Sequence, residues 1–116
     1  MKKFVVIIVI LISSLAYAQN PPTVSIYDIQ YLPPGQDTSS YHGQTVITGG
    51  IVTAGTELFY GGSGVVFFVS DPDGGIWSGI KAYCPEQGSI PVLTVGDSIL
   101  FAALVIESDC QTFLYV

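Results

Sequence analysis

The sequence predicts a small all-β barrel or sandwich. Short runs rich in Val, Ile, Thr and aromatic residues recur at close intervals from Thr45 onward. Clusters of Gly, Pro and Asp separate them as turns. No stretch after the first eighteen residues carries the three-to-four-residue apolar spacing of an amphipathic helix. With 116 residues and 49% hydrophobic content, the chain makes one domain and is too apolar for a disordered tail.

The elements follow in order. Met1-Lys2-Lys3 is a short positive segment, Phe4 to Ile12 an unbroken apolar run, and Ala16-Tyr17-Ala18 a small-x-small cleavage site. This is the pattern of a secretory signal peptide over 1–18. The apolar run falls short of the roughly 20 residues that span a bilayer. Cleavage after Ala18 leaves 98 of the 116 residues and removes two of the three cations. One Lys, Lys81, then stands against nine acids, a net charge of −8. Such a chain is expected to be secreted or held at the cell surface, with the periplasm as an alternative, and with no membrane association after cleavage. Its charge opposes phosphate backbones and anionic membranes alike.

Residues 19–44 read as a leader and loop. Within it Val24 to Ile29 roughly alternates apolar and polar and reads as either a short added strand or an ordered lead-in. Leu32-Pro33-Pro34-Gly35 stops any helix or central strand. Residues 45–116 read as the barrel. Thr45 to Ala54 is the first strand, with Gly49-Gly50 marking a bend. Gly55 to Gly64 reads as a loop. Val65 to Ser70 is the second strand, apolar on both faces. Asp71-Pro72-Asp73-Gly74-Gly75 is a turn. Trp77 to Tyr83 is the third strand. Pro85 to Val95 holds two prolines and a glycine, which excludes a full helix. Val95-Gly96-Asp97 turns into the fourth strand, Ser98 to Glu107. Ser108 to Gln111 turns into the fifth, Thr112 to Val116. The sequence stops inside an apolar strand, so the domain is expected to be the first part of a longer protein or a truncated product.

Three segments carry a family resemblance. Tyr41 to Ala54 (YHGQTVITGGIVTA) resembles the first barrel strand of an OB-fold domain found in bacterial exported proteins. These include large extracellular nucleases and surface proteins with a C-terminal secretion-sorting domain. Asp71 to Ile80 (DPDGGIWSGI) resembles the family's turn and third strand, and Val95 to Ile99 (VGDSI) its approach to strand four. The resemblance spans roughly 24–116. It implies a five-stranded OB-fold-like barrel, here without a clear helix between strands three and four. Strand four departs from the family by placing Leu100, Leu104 and Ile106 on one face and Ile99, Phe101 and Val105 on the other. One of these faces needs cover, from a neighbouring domain or protein partner or from the 24–29 segment.

The two cysteines, Cys84 and Cys110, allow one disulfide in an exported chain. In an OB-fold, strands three and five run parallel. Cys84 ends one and Cys110 begins the other, which sets them at opposite ends of the barrel and argues against pairing.

The residue pattern implies no catalysis and no cofactor. His42 is the only histidine and stands beside a turn glycine, with no nucleophile elbow in the chain. One His and two separated Cys do not make a zinc site. Asp71 and Asp73 lack the ligand series of a calcium loop and read as turn acids. OB-folds bind oligonucleotides or oligosaccharides on strands two and three and their flanking loops. Phe59, Tyr60, Phe68, Trp77 and Tyr83 fall there. They form either a ligand-binding face or, for Phe68 and Trp77, part of the core. Single-strand nucleic acid needs stacking plus a basic groove, and Lys81 is alone. The expectation is a non-catalytic binding or spacer module for a glycan or a protein. A nucleic-acid-binding accessory domain of an extracellular nuclease is the alternative that charge disfavours.

Overall fold

The computed structural model describes residues 20–61 and 64–116, except for the side chains of residues 58–60 and 87. The 1–18 stretch read as a signal peptide lies outside the described residues. Five strands close one barrel: β1 (Thr45–Gly61), β2 (Gly64–Ser70), β3 (Gly79–Cys84), β4 (Ser98–Ser108) and β5 (Gln111–Tyr115). Their order around the barrel is β1-β2-β3-β5-β4. β3 and β5 run parallel and the other neighbours antiparallel. This is the small OB-fold-like barrel that the sequence predicts. The connection from β3 to β4 holds only a single 3-10 turn, Gln87–Ser89.

β1 is long because it serves two partners. Residues 45–51 pair with β4, and residues from Ile51 onward pair with β2. The switch falls at Ile51, directly after Gly49-Gly50. A Cβ on Gly49 would collide with the Ile99 carbonyl, and one on Gly50 with the Ser70 carbonyl. Two glycines let β1 pass between β4 and β2, which is the bend expected there. The expected loop over 55–64 is instead mostly strand. Irregularities in register after Val52 and Ala54 let β1 turn and continue its ladder to Gly61.

Of the two readings of 24–29, an added strand or an ordered lead-in, the strand is replaced and the segment is ordered as a helical turn. Thr23 alone makes a bridge, parallel to Ile47, with Val24 N donating to Ile47 O at 2.9 Å and Ile47 N to Pro22 O at 2.8 Å. This covers the edge of β1 opposite β4. The chain then forms one helical turn, α1 (Ile26–Gln30). Ser25 caps it by accepting from Asp28 N at 3.0 Å. Ile26 and Ile29, three residues apart, lie on one helix face and are fully buried in the barrel core. They join Val46, Val52, Phe67, Val69, Ile80, Val105 and Leu114 in one cluster. The leader is therefore part of the domain.

Candidate ligand-binding face

The outer surface of β2, β3 and β5 is built by alternation. Phe67 and Val69 on β2, Ile80 and Ala82 on β3, and Leu114 on β5 point into the core. Their neighbours Val66 and Phe68, Lys81 and Tyr83, and Phe113 and Tyr115 therefore point outward. The register aligns Phe68 with Lys81 and Phe113, and Val66 with Tyr83 and Tyr115. Four aromatic side chains thus share one face around a single cation. Lys81 is committed within it: Nζ donates to Gln111 Oε1 at 3.1 Å and stands 5.0 Å from the Phe113 ring centre. Tyr83 and Tyr115 meet at 5.9 Å between ring centres.

At the end of this face nearest the β2–β3 turn lies a groove of about 390 Å³. Phe68, Lys81 and Gln111 line it from the barrel, Gln30 and Asp37 from the leader, and Trp77 from the turn. Trp77 does not lie in β3 as expected. It is 40% exposed and adopts a left-handed backbone, φ +63°. Its indole meets Tyr31 edge to face at 6.2 Å, and Tyr31 stacks on Tyr27 at 5.6 Å.

Of the expected binding residues, the structure places Phe68, Trp77 and Tyr83 on this surface, and neither Phe68 nor Trp77 is core. The side chains of Phe59 and Tyr60 lie outside the described residues; their backbones pair with Val66 and Val65. Sequence reasoning missed Phe113, Tyr115 and Gln111. The signal was present in the alternation of β5, once β5 is set parallel to β3. Tyr27 and Tyr31 were missed with the helix that carries them, although their four-residue spacing fits one helix face.

Asp71 is more than a turn acid. Its Oδ1 accepts from Ile26 N at 3.0 Å and its Oδ2 from Tyr27 N at 2.8 Å. The β2–β3 turn thereby holds the first turn of α1, and Gln30 Nε2 donates back to Gly79 O at 2.6 Å. His42 has a structural partner, with Nδ1 accepting from Glu107 N at 3.0 Å. Glu107 Oε1 accepts from Thr112 Oγ1 at 2.6 Å and Ser39 N at 3.3 Å, tying the leader to the β4–β5 hairpin. Among the described residues, no group of three or more His, Cys, Asp or Glu side chains is placed to hold a metal ion.

Cys84 and Cys110 are both free thiols, the first buried and the second exposed. The parallel register sets Tyr83 level with Tyr115, so Cys84 and Cys110 are about six residues out of step. At about 3.3 Å per residue that is roughly 20 Å, far beyond disulfide reach. The intramolecular bridge that two cysteines allow does not form.

On β4, Ile99, Phe101, Ala103 and Val105 face the core. Leu100 on the opposite face is 72% exposed, while Leu104 and Ile106 are half-buried. α1 packs against β1 and β3, and it leaves Leu100 uncovered.

No family model, curated protein or solved structure matches the chain.

Proposed function

We propose that this chain is an exported, non-catalytic OB-fold-like module that binds an uncharged ligand on the outer face of β2, β3 and β5. The observation that supports this most is the groove that gathers Phe68, Trp77, Gln30 and Gln111 beside a face of four aromatic rings. Amphipathic rings with a few placed polar groups are what a specific ligand surface requires. The cation that a nucleic-acid site would use is held by Gln111 and Phe113. The engagement of His42 with a backbone amide favours a structural role for it over a catalytic one. Residues 1–18 support export, and the exposed Leu100 side of β4 supports packing against a neighbouring domain or protein partner. The three family-like segments favour a place at the N-terminal end of a larger secreted or surface protein.

Two measurements test this reading. Expression of the full sequence in a bacterium followed by mass analysis should find protein outside the cytoplasm, lacking residues 1–18; intact cytoplasmic protein contradicts export. Binding to a single-stranded decathymidylate at low salt and micromolar protein should be absent. Saturable binding there would instead support the accessory domain of an extracellular nuclease.

A further inference from the structure

We propose that Tyr27, Tyr31 and Trp77, with Tyr31 stacked on Tyr27 and Trp77 set edge to face against Tyr31, form a ladder of aromatic contacts that extends this groove and packs along a neutral glycan. The proposal rests on the reading of the β2–β3–β5 surface as a ligand face, and it adds a second contact strip and a ligand class.

Trp77 is costly as placed. A left-handed backbone crowds the Cβ of any non-glycine residue, and two glycines, Gly74 and Gly75, already supply positive φ in the same turn. The conformation is imposed from both sides. Asp71 N donates to Ser78 O at 2.8 Å, and Ser78 Oγ donates to Gly75 O at 2.6 Å. A large ring is thus held, strained and 40% exposed, at the mouth of a groove. Strain of this kind gathers at ligand clamps. Packing alone does not call for it, because Ile26 and Ile29 already anchor α1 in the core.

The two tyrosines continue the strip. They stand four residues apart, 43% and 39% exposed, and the opposite side of α1 is fixed to the barrel. Asp71 and Gln30 tie both ends of α1 to the β2–β3 region, so the rings sit on a rigid support. The chemistry around the strip selects the ligand. Gln30 and Gln111 offer amide groups and Asp37 offers a carboxylate, which together can donate to and accept from sugar hydroxyls. The carboxylates of Asp28 and Asp37 and the committed Lys81 disfavour a polyanion. The C–H face of a pyranose is neutral, flat and apolar, and it matches an aromatic face.

Trp77 is the only tryptophan in the chain and stands where the groove meets the strip, so its fluorescence reports binding at either, and the variants separate the two. Purified protein made from the full sequence is titrated with cellohexaose, xylohexaose, chitohexaose, decathymidylate and a decaproline peptide, with calorimetry alongside. At least one hexasaccharide should shift the emission saturably, and the last two probes should not. Trp77→Gly and Tyr31→Leu should each weaken that binding about tenfold or more by calorimetry. Trp77→Gly should still melt cooperatively, because glycine suits the left-handed backbone. Hexasaccharide binding that Phe68→Ala weakens but both ladder variants leave intact overturns the ladder and leaves the binding face standing. Binding that none of the three variants weakens overturns the face as well. A response to decathymidylate or decaproline without one to any hexasaccharide overturns the glycan class. Absence of binding to all five probes overturns the proposal.

Discussion

The Oγ1 of Thr48 is buried and has no hydrogen-bond partner among the described residues. Burying an unpaired hydroxyl costs free energy that its aliphatic isostere avoids. Thr48→Val is therefore expected to stabilise the protein by about 1 kcal/mol, a rise in Tm of roughly 4–8 °C for a domain of this size. A fall in Tm would mean that the hydroxyl is satisfied. The cysteines give a second test at the same scale. Cys84 is buried, with its thiol near Glu86 O at 3.3 Å and Ser89 Oγ at 3.2 Å, whereas Cys110 is exposed on the β4–β5 turn. Brief treatment of the native protein with iodoacetamide should alkylate Cys110 alone, and denaturant should be needed for Cys84. A native protein that stays two mass units lighter than its reduced form would contradict the geometry. These thiols show where residue-level reading succeeds: the strand order of an OB-fold was enough to separate them. Thr48 shows where it stops, since its burial depends on which face of β1 the Gly49-Gly50 bend turns inward.

The decisive element is α1. A five-residue helix is too short to be stable by propensity; here its stability comes from tertiary contacts. Ile26 and Ile29 enter the core, and Asp71, 45 residues from Ile26, caps the N-terminal amides. That explains why the segment read as a strand. Val24 and Ile26 alternate like one, and the carboxylate that favours a helix lies in a distant turn. The same long-range dependence hid the continuation of β1 past Ala54, because its glycines read locally as loop. By contrast, β2, β4 and β5 were legible within a residue or so, since their apolar runs and flanking turns are local signals. Two substitutions test the element. Ile29→Ala should cost about 2–5 kcal/mol of stability in a denaturant titration. Asp71→Ala should cost about 1 kcal/mol and weaken protection of the Ile26 and Tyr27 amides from hydrogen exchange. If Ile29→Ala leaves stability unchanged, α1 does not belong to the core.

At the scale of the molecule, the barrel divides its surface by chemistry. One side, on β2, β3 and β5, presents rings, amides and a single held cation. Another, on β4, exposes Leu100. The acidic surplus, nine carboxylates against Lys81 beyond residue 18, disfavours polyanions at both. The face was only partly legible because it is assembled from β2, β3, β5, the turn at Trp77 and the leader. Phe68 and Tyr83 could be placed from the second and third strands. Phe113 and Tyr115 needed the parallel β3–β5 pairing, and Tyr31 needed the helix. The most direct test of the binding face is an amide NMR titration of the protein with the best-binding neutral hexasaccharide. The resonances of Phe68, Trp77, Lys81, Gln111 and Phe113 should move together and saturate. Saturable shifts confined to residues 99–106 of β4, or no shifts at any residue, would contradict the placement of the ligand on this face.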